Sequence, residues 1–233
     1  MDKVELPIVL PNKPSCNNCE LHDEAQSVCV PTVFYPSSLK GYIDTNNLIF
    51  FIGQNPGFHE DKKNEPFVGR SGDLVKEVYI KGCNLQNRAT IYLGNSVRCH
   101  TPSNEPPKTR HSRECSVHMM NELQLMRSWA PKKWIVVTLG ASATTAFYKY
   151  HAEELIPRGK KTVGLTESFN LNGGYHEQWG FHLFSTYHPA AVLRNNNLIN
   201  AVESHMQLVS DCLDGILAQP SEPNIVPTRS PRR

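Results

Sequence analysis

Four short apolar runs, at residues 48–52, 89–93, 134–139 and 182–187, end respectively at Gly53, Gly94-Asn95, Gly140 and His188. Between them the apolar residues recur at helical spacing instead. Leu74, Val75, Val78 and Tyr79 mark a helix over 72–82 that Gly82 closes, and Val117, Met120, Leu123 and Met126 mark another over about 113–129, stopped by Pro131. A small-residue helix runs from Gly140-Ala141-Ser142 to about Tyr148. Leu198, Val202, Val209, Leu213 and Ile216 mark a long closing helix, with residues 195–197 as its cap. Residues 151–180 are less regular, and Asn172-Gly173-Gly174 signals a turn within a hairpin or an extended loop. Buried strands alternating with helices pair in parallel and carry helices on both faces. The expected fold is therefore α/β, a three-layer α/β/α sandwich around a central four-stranded, mainly parallel sheet, with ligands at the strand C-terminal ends.

A chain of 233 residues is long enough for one such core, and no compositional break divides it before the C-terminal tail. A single domain is expected over 1–217. Pro220, Pro223, Pro227 and Pro231 with Arg229, Arg232 and Arg233 make 218–233 a basic tail expected to be disordered, with weak phosphate affinity. Lys and Arg number 24 against 22 Asp and Glu, a net charge of +2, so a nucleic-acid surface would have to be a local patch. No stretch has the layout of a signal peptide, and no apolar run approaches membrane-spanning length, so a soluble, cytoplasmic protein is expected.

Seven cysteines in a reducing compartment need an explanation other than disulfides. Cys16 and Cys19 form a C-x2-C pair, and Cys99 and Cys115 a C-x15-C pair bracketing a Pro-rich loop. A zinc ribbon usually has a second tight knuckle, whereas an iron–sulfur cluster accepts thiolates from widely spaced loops, which favours the cluster. Ordinary reduced thiols are the competing explanation. Cys29, Cys83 and Cys212 are left over, with Cys83 and Cys212 read as small buried thiols.

Polar groups gather at three strand exits, namely Gln54-Asn55, Asn95 and His188. The first lies in Gly53-Gln54-Asn55-Pro56-Gly57, which runs on to Pro66-Phe67-Val68-Gly69-Arg70-Ser71-Gly72. The last opens His188-Pro189-Ala190-Ala191-Val192-Leu193-Arg194. Taken singly, each of Asn55, Phe67, Asn95 and His188 is more readily a turn or core residue. In this order, and with the cysteine pattern, the chain resembles the uracil-DNA glycosylase superfamily, in particular its iron–sulfur branch, family 4, over roughly residues 14–215.

The resemblance implies a monofunctional glycosylase that hydrolyses the N-glycosidic bond of deoxyuridine in single- or double-stranded DNA. It also implies a [4Fe-4S] cluster on Cys16, Cys19, Cys99 and Cys115, and a monomer in a bacterial, archaeal or phage-infected cell. Phe67 would stack on the extruded base and Asn95 would read its edge. His188 would stabilise the charge growing on the uracil O2, with help from the Gln54-Asn55 turn. Leu193 would fill the gap in the stack, Arg194 and Arg70 would meet phosphates, and Lys62, Lys63, Arg98, Lys108 and Arg110 would extend the basic track. His111 would be near enough to contact phosphate.

One departure concerns the reaction itself. Family 4 carries Glu where this chain has Gln54, whereas Asn55 matches turns of other branches and would position the attacking water without acting as a base. Glu60 and Asp61 are the nearest carboxylates that could serve in its place. Two rivals follow, a glycosylase for other deaminated or modified bases and a catalytically weak relative that binds uracil-DNA.

Overall fold

The computed structural model describes residues 16–37 and 45–216; the predicted tail at 218–233 and the N-terminal part of the predicted domain lie outside the described residues. In chain order the main elements are α1 (Leu21–Glu24), β1 (Val33–Tyr35), β2 (Asn47–Gly53), α2 (Phe58–Lys63), α3 (Arg70–Leu74), β3 (Thr90–Asn95) and α4 (Thr109–Ser128). They continue with β4 (Lys133–Leu139), α5 (Gly140–His151), α6 (Leu165–Phe169), β5 (Gly174–His176), β6 (Phe181–Thr186), α7 (Pro189–Arg194) and α8 (Ile199–Leu213).

The sheet order is β1-β3-β2-β4-β6-β5. The four expected strands are its parallel centre, but the sheet has six strands rather than four. β1 pairs antiparallel with β3 and β5 pairs antiparallel with β6, one at each edge. Each is three residues long, too short for a period to register in the sequence. The turn of the β5–β6 hairpin falls at residues 177–180, after the Asn172-Gly173-Gly174 signal.

Successive side chains of a strand point to opposite faces, and here both faces are covered. Ile49 and Phe51 of β2 pack with Ile91, Leu93, Ile135 and Val137 against Val75, Tyr79, Met206 and Val209. Leu48, Phe50 and Ile52 pack with Val136 and Leu183 against Met119, Leu123 and Phe147 of α4 and α5. This two-sided burial makes the three-layer sandwich, and it explains why the central strands read as continuous apolar runs. No helix among the described residues is long and apolar enough to cross a membrane.

The helix expected over 72–82 begins earlier, at Arg70, and after Leu74 widens into a π-helical turn over Val75–Ile80. With more residues per turn, Val75, Tyr79 and Ile80 all reach the core from one side. α4 starts at Thr109, ahead of the expected 113, with Lys108 as its N-cap after Pro106-Pro107. α5 continues to His151, past the expected Tyr148.

Arg98 corrects an expectation. It is not part of an exposed basic track: it is 2% exposed, ion-paired with Glu122, and donates to Thr32 Oγ1 at 2.6 Å. The Thr32 hydroxyl in turn donates to Glu122 at 2.8 Å, closing a buried triangle between α4 and the strand-exit loop. Removing one member of a buried pair strands the other charge, so Glu122→Ala is expected to lower stability by about 3–5 kcal/mol. Removing the exposed partner of Arg113, Glu114→Ala, should cost less than about 1 kcal/mol. Denaturant midpoints of the two variants check the contrast.

Candidate active site

From β2 the chain steps to β3 on one side and later to β4 on the other, so a crevice opens at the C-terminal ends of these strands. β2 and β3 end in register, with Gly53 opposite Asn95. A Cβ at Gly53 would lie 2.5 Å from Asn95 Oδ1 and 2.9 Å from Phe67 Cζ, so the amide and the ring both close over this glycine. Phe67 is 6% exposed and sits at φ +55°, an uncommon conformation for an aromatic residue. Its carbonyl lies where a Cβ of Gly72 would be, at 1.8 Å, so a glycine is required there as well. Asn95 is 5% exposed, and among the described residues its amide has no hydrogen-bond partner. A buried amide beside an aromatic ring, with its donors and acceptor unmet, suits a planar polar ligand.

Segment 96–101 clamps the turn after β2. Ser96 N donates to Gly53 O at 2.9 Å, Val97 N to Gln54 O at 3.0 Å, and Ser96 Oγ to Gln54 O at 2.9 Å. His100 Nδ1 donates to Pro56 O at 3.0 Å. Asn55 Nδ2 donates to its neighbour's carbonyl, Pro56 O, at 3.0 Å and to Thr101 Oγ1 at 3.1 Å. Both amide hydrogens of Asn55 are thus committed, and Oδ1 is its remaining polar atom. Gln54 sits partly buried in the same turn.

His188 caps α7, where Ala190 N donates to its Nδ1 at 3.1 Å. Because that backbone N–H can only donate, Nδ1 is the bare nitrogen and the ring proton sits on Nε2. Burial, seconded by the positive charge of Arg194, pushes the ring down to about 4, so it is neutral at physiological pH. Gly140, at φ +83°, lets the ring's backbone come close: a Cβ there would be 2.7 Å from His188 Cβ. α3 packs against α7, so the segment over residues 67–72 and the helix that His188 caps meet. Leu193 is 36% exposed on this rim, and Arg194, Arg70, Lys62, Lys63 and Lys108 are exposed.

Two further expectations change. Arg110 is exposed but faces Glu20 in an ion pair. His111 is buried, with Nε2 donating to Glu20 at 2.9 Å and Nδ1 accepting from Lys108 N at 3.2 Å, so its ring is not presented to a phosphate. The His111 bond holds Glu20 down to about 2. Asp61 is buried and accepts from Gln26 N at 3.0 Å and Ser27 N at 2.8 Å, which makes it a structural anchor. Glu60 faces the backbone N–H groups of Gly57 and Val68, while burial raises its carboxyl.

Cys99 and Cys115 are buried and pack with Cys19 against Leu21 and Val97. Burial pushes Cys99 up to about 11 and Cys115 up to about 12, and the charge of neighbouring thiols adds to both. The neighbours acting on Cys99 include Cys16 and Cys19, so the four predicted cysteines share one locality. Thiols this reluctant to ionise on their own need a cationic centre to become thiolates, which fits iron. Among the described residues no three His, Cys, Asp or Glu side chains are grouped so as to hold a single metal ion.

Sequence reasoning passed over three residues here. Cys29, at φ +59°, directs its backbone N–H to Cys99 Sγ at 3.4 Å. His118 places Nε2 3.4 Å from Cys16 Sγ, and its spacing three residues after Cys115 on α4 was the available signal. Phe58 opens α2 beside the turn with its ring 60% exposed, stacked edge-on to His59 at 5.6 Å.

The family model described as the Uracil DNA glycosylase superfamily matches residues 40–208. The chain is similar to the Type-4 uracil-DNA glycosylase of Thermotoga maritima, 29% identical over 194 residues that cover 82% of this chain and 85% of that one. It is similar to those of Sulfurisphaera tokodaii and Archaeoglobus fulgidus, each 28% identical over 201 residues and 84% of this chain, covering 80% and 87% of theirs. With the family model spanning well over half its length, the chain belongs to the uracil DNA glycosylase superfamily.

Proposed function

We propose that this protein is a monofunctional uracil-DNA glycosylase, a DNA-repair hydrolase that releases uracil from DNA and leaves an abasic site. The observation that carries the reading is the Asn95 amide, buried and without a hydrogen-bond partner among the described residues, closed against the Phe67 ring over Gly53. Such an amide donates to uracil O4 and accepts from N3–H; cytosine offers the opposite pattern and leaves both groups unmet. The ring supplies a stacking face for a base taken out of the duplex. The relatives named above are uracil-DNA glycosylases, which supports the same substrate.

The bond between C1′ and N1 breaks first, and its electron pair leaves with the base. His188 Nε2–H donates to O2, where that charge collects, and a neutral donor already in place needs no reorganisation. Backbone groups of the Gln54-Asn55 turn assist there. Asn55 Oδ1 accepts a hydrogen from the water whose oxygen then bonds to C1′, and the released proton passes to solvent. With Gln54 in place of a carboxylate and Asp61 committed to backbone, neither of these positions offers the water a base, and a reaction slower by on the order of 10²-fold than one with base assistance is expected.

Leu193 fills the vacated stack, Arg194 and Arg70 meet phosphates, and the Phe58 ring adds a stacking surface at the mouth. Cys16, Cys19, Cys99 and Cys115 hold a [4Fe-4S] cluster, whose bonds join the N-terminal segment, the loop after β3 and α4. The residues that break the glycosidic bond lie outside it.

Single-turnover release of base from an oligonucleotide with one deoxyuridine tests the reading. Wild type should release uracil, and Asn55→Ala and His188→Ala should each slow it by on the order of 10²-fold. Release of hypoxanthine or xanthine but not uracil would move the substrate to other deaminated bases, and tight retention without release would make the protein a binder. Wild type should carry iron and inorganic sulfide by elemental analysis and Cys99→Ser should lose both together; a wild type without them would count against the cluster, and full retention in the variant would count against Cys99 as a ligand.

The proposed role also fixes a pH profile. His188 is depressed from 6.5 to about 4, so the rate of base release should be flat from roughly pH 5.5 to 8, and an inflection near 6.5 would contradict a neutral donor. Between those two values the unfolded chain binds the proton more readily. Stability from His188, and from the similarly buried His151, is therefore complete above about 6.5 and is lost as pH falls towards 4. Thermal unfolding followed across that range reads the loss.

A further inference from the structure

The orientation of Asn55 is decided outside its own turn. Thr101 is buried, and its hydroxyl donates its single hydrogen to Glu105 O at 2.5 Å. That leaves the oxygen only lone pairs to offer Asn55, which meets it through Nδ2 at 3.1 Å. The second Nδ2 hydrogen meets another pure acceptor, Pro56 O. Turning the amide over would set Oδ1 against two acceptor oxygens, so only one orientation is satisfied.

That orientation matters for the chemistry. An amide oxygen holds a water by one of its hydrogens and leaves a lone pair free to attack, whereas an amide N–H would engage the lone pair itself. We propose that Thr101 is a positioning residue for the hydrolytic step, fixing Asn55 so that Oδ1 is presented to the attacking water. The inference rests on the excision reading given above. Thr101 lies two residues after Cys99, and the intervening His100 grips Pro56. The cluster loop thus sets the geometry of the water-holding turn through two adjacent side chains.

The test compares wild type, Thr101→Val, Thr101→Ser, Asn55→Ala and the Asn55→Ala/Thr101→Val double variant, each as full chain with its visible cluster absorbance intact. Valine keeps the shape and loses the hydroxyl; serine keeps the hydroxyl. Thr101→Val should slow single-turnover uracil release by on the order of tenfold, with affinity for the uncleaved oligonucleotide changed less than about twofold. Thr101→Ser should recover to within about threefold of wild type, and in the Asn55→Ala background the valine should add no further loss. Exchange of the Asn55 side-chain amide protons, followed by NMR, should quicken in Thr101→Val and stay slow in Thr101→Ser.

A Thr101→Val protein as fast as wild type overturns the proposal, as does a full additional loss in the Asn55→Ala background. A wild type that releases no uracil overturns the excision reading instead. Amide exchange still judges the positioning contact in that case, and exchange unchanged in Thr101→Val overturns it.

Discussion

β2 and β3 end side by side, Gly53 opposite Asn95, and the missing side chain at Gly53 lets an amide and an aromatic ring occupy the same strand end. The other close approaches follow from it. The Phe67 ring reaches that point because its backbone sits at positive φ over Gly72, and His188 comes in because Gly140 leaves room beside it. Three glycines on three different elements clear the space that the polar groups fill. A methyl group at any of them would displace a neighbour rather than merely strain the residue itself.

Burial acts on His188, Cys99 and Cys115 with opposite results for base and acid. It lowers His188 and keeps the ring a neutral donor, while it raises Cys99 and Cys115 and keeps them protonated unless a cation takes the proton's place. Dehydration thus leaves the imidazole uncharged and the thiols protonated. Both outcomes arise without a strong charge inside the pocket.

The central strands were legible because burial on both faces turns each into an unbroken apolar run, and the strand exits were legible because glycine and asparagine punctuate them. The edge strands were not, since three residues carry no period. Charged residues misled for a different reason. Arg98 read as a surface cation because its partners, Thr32 and Glu122, are 66 and 24 positions away. His111 read as exposed because its partner, Glu20, is 91 positions away. The bond from Asn55 to Thr101 crosses 46 positions and was hidden in the same way. His118, by contrast, stood one helical turn from Cys115 and was visible to anyone who extended the ligand pattern along α4.

α2 is only six residues long, yet it begins at the turn after β2 and holds residues 26 and 27 through Asp61. Two loops are therefore fastened to one short rod. A loop fastened this way does not swing aside as a separate lid, so a base meets walls that are already set. On the proposed reading, the work of pulling the nucleotide out of its stack falls to the α7 side of the rim, where Leu193 and Arg194 are exposed. The molecule divides into a fixed socket and a probing edge, and sensitivity to the softness of the surrounding duplex would reside in the second.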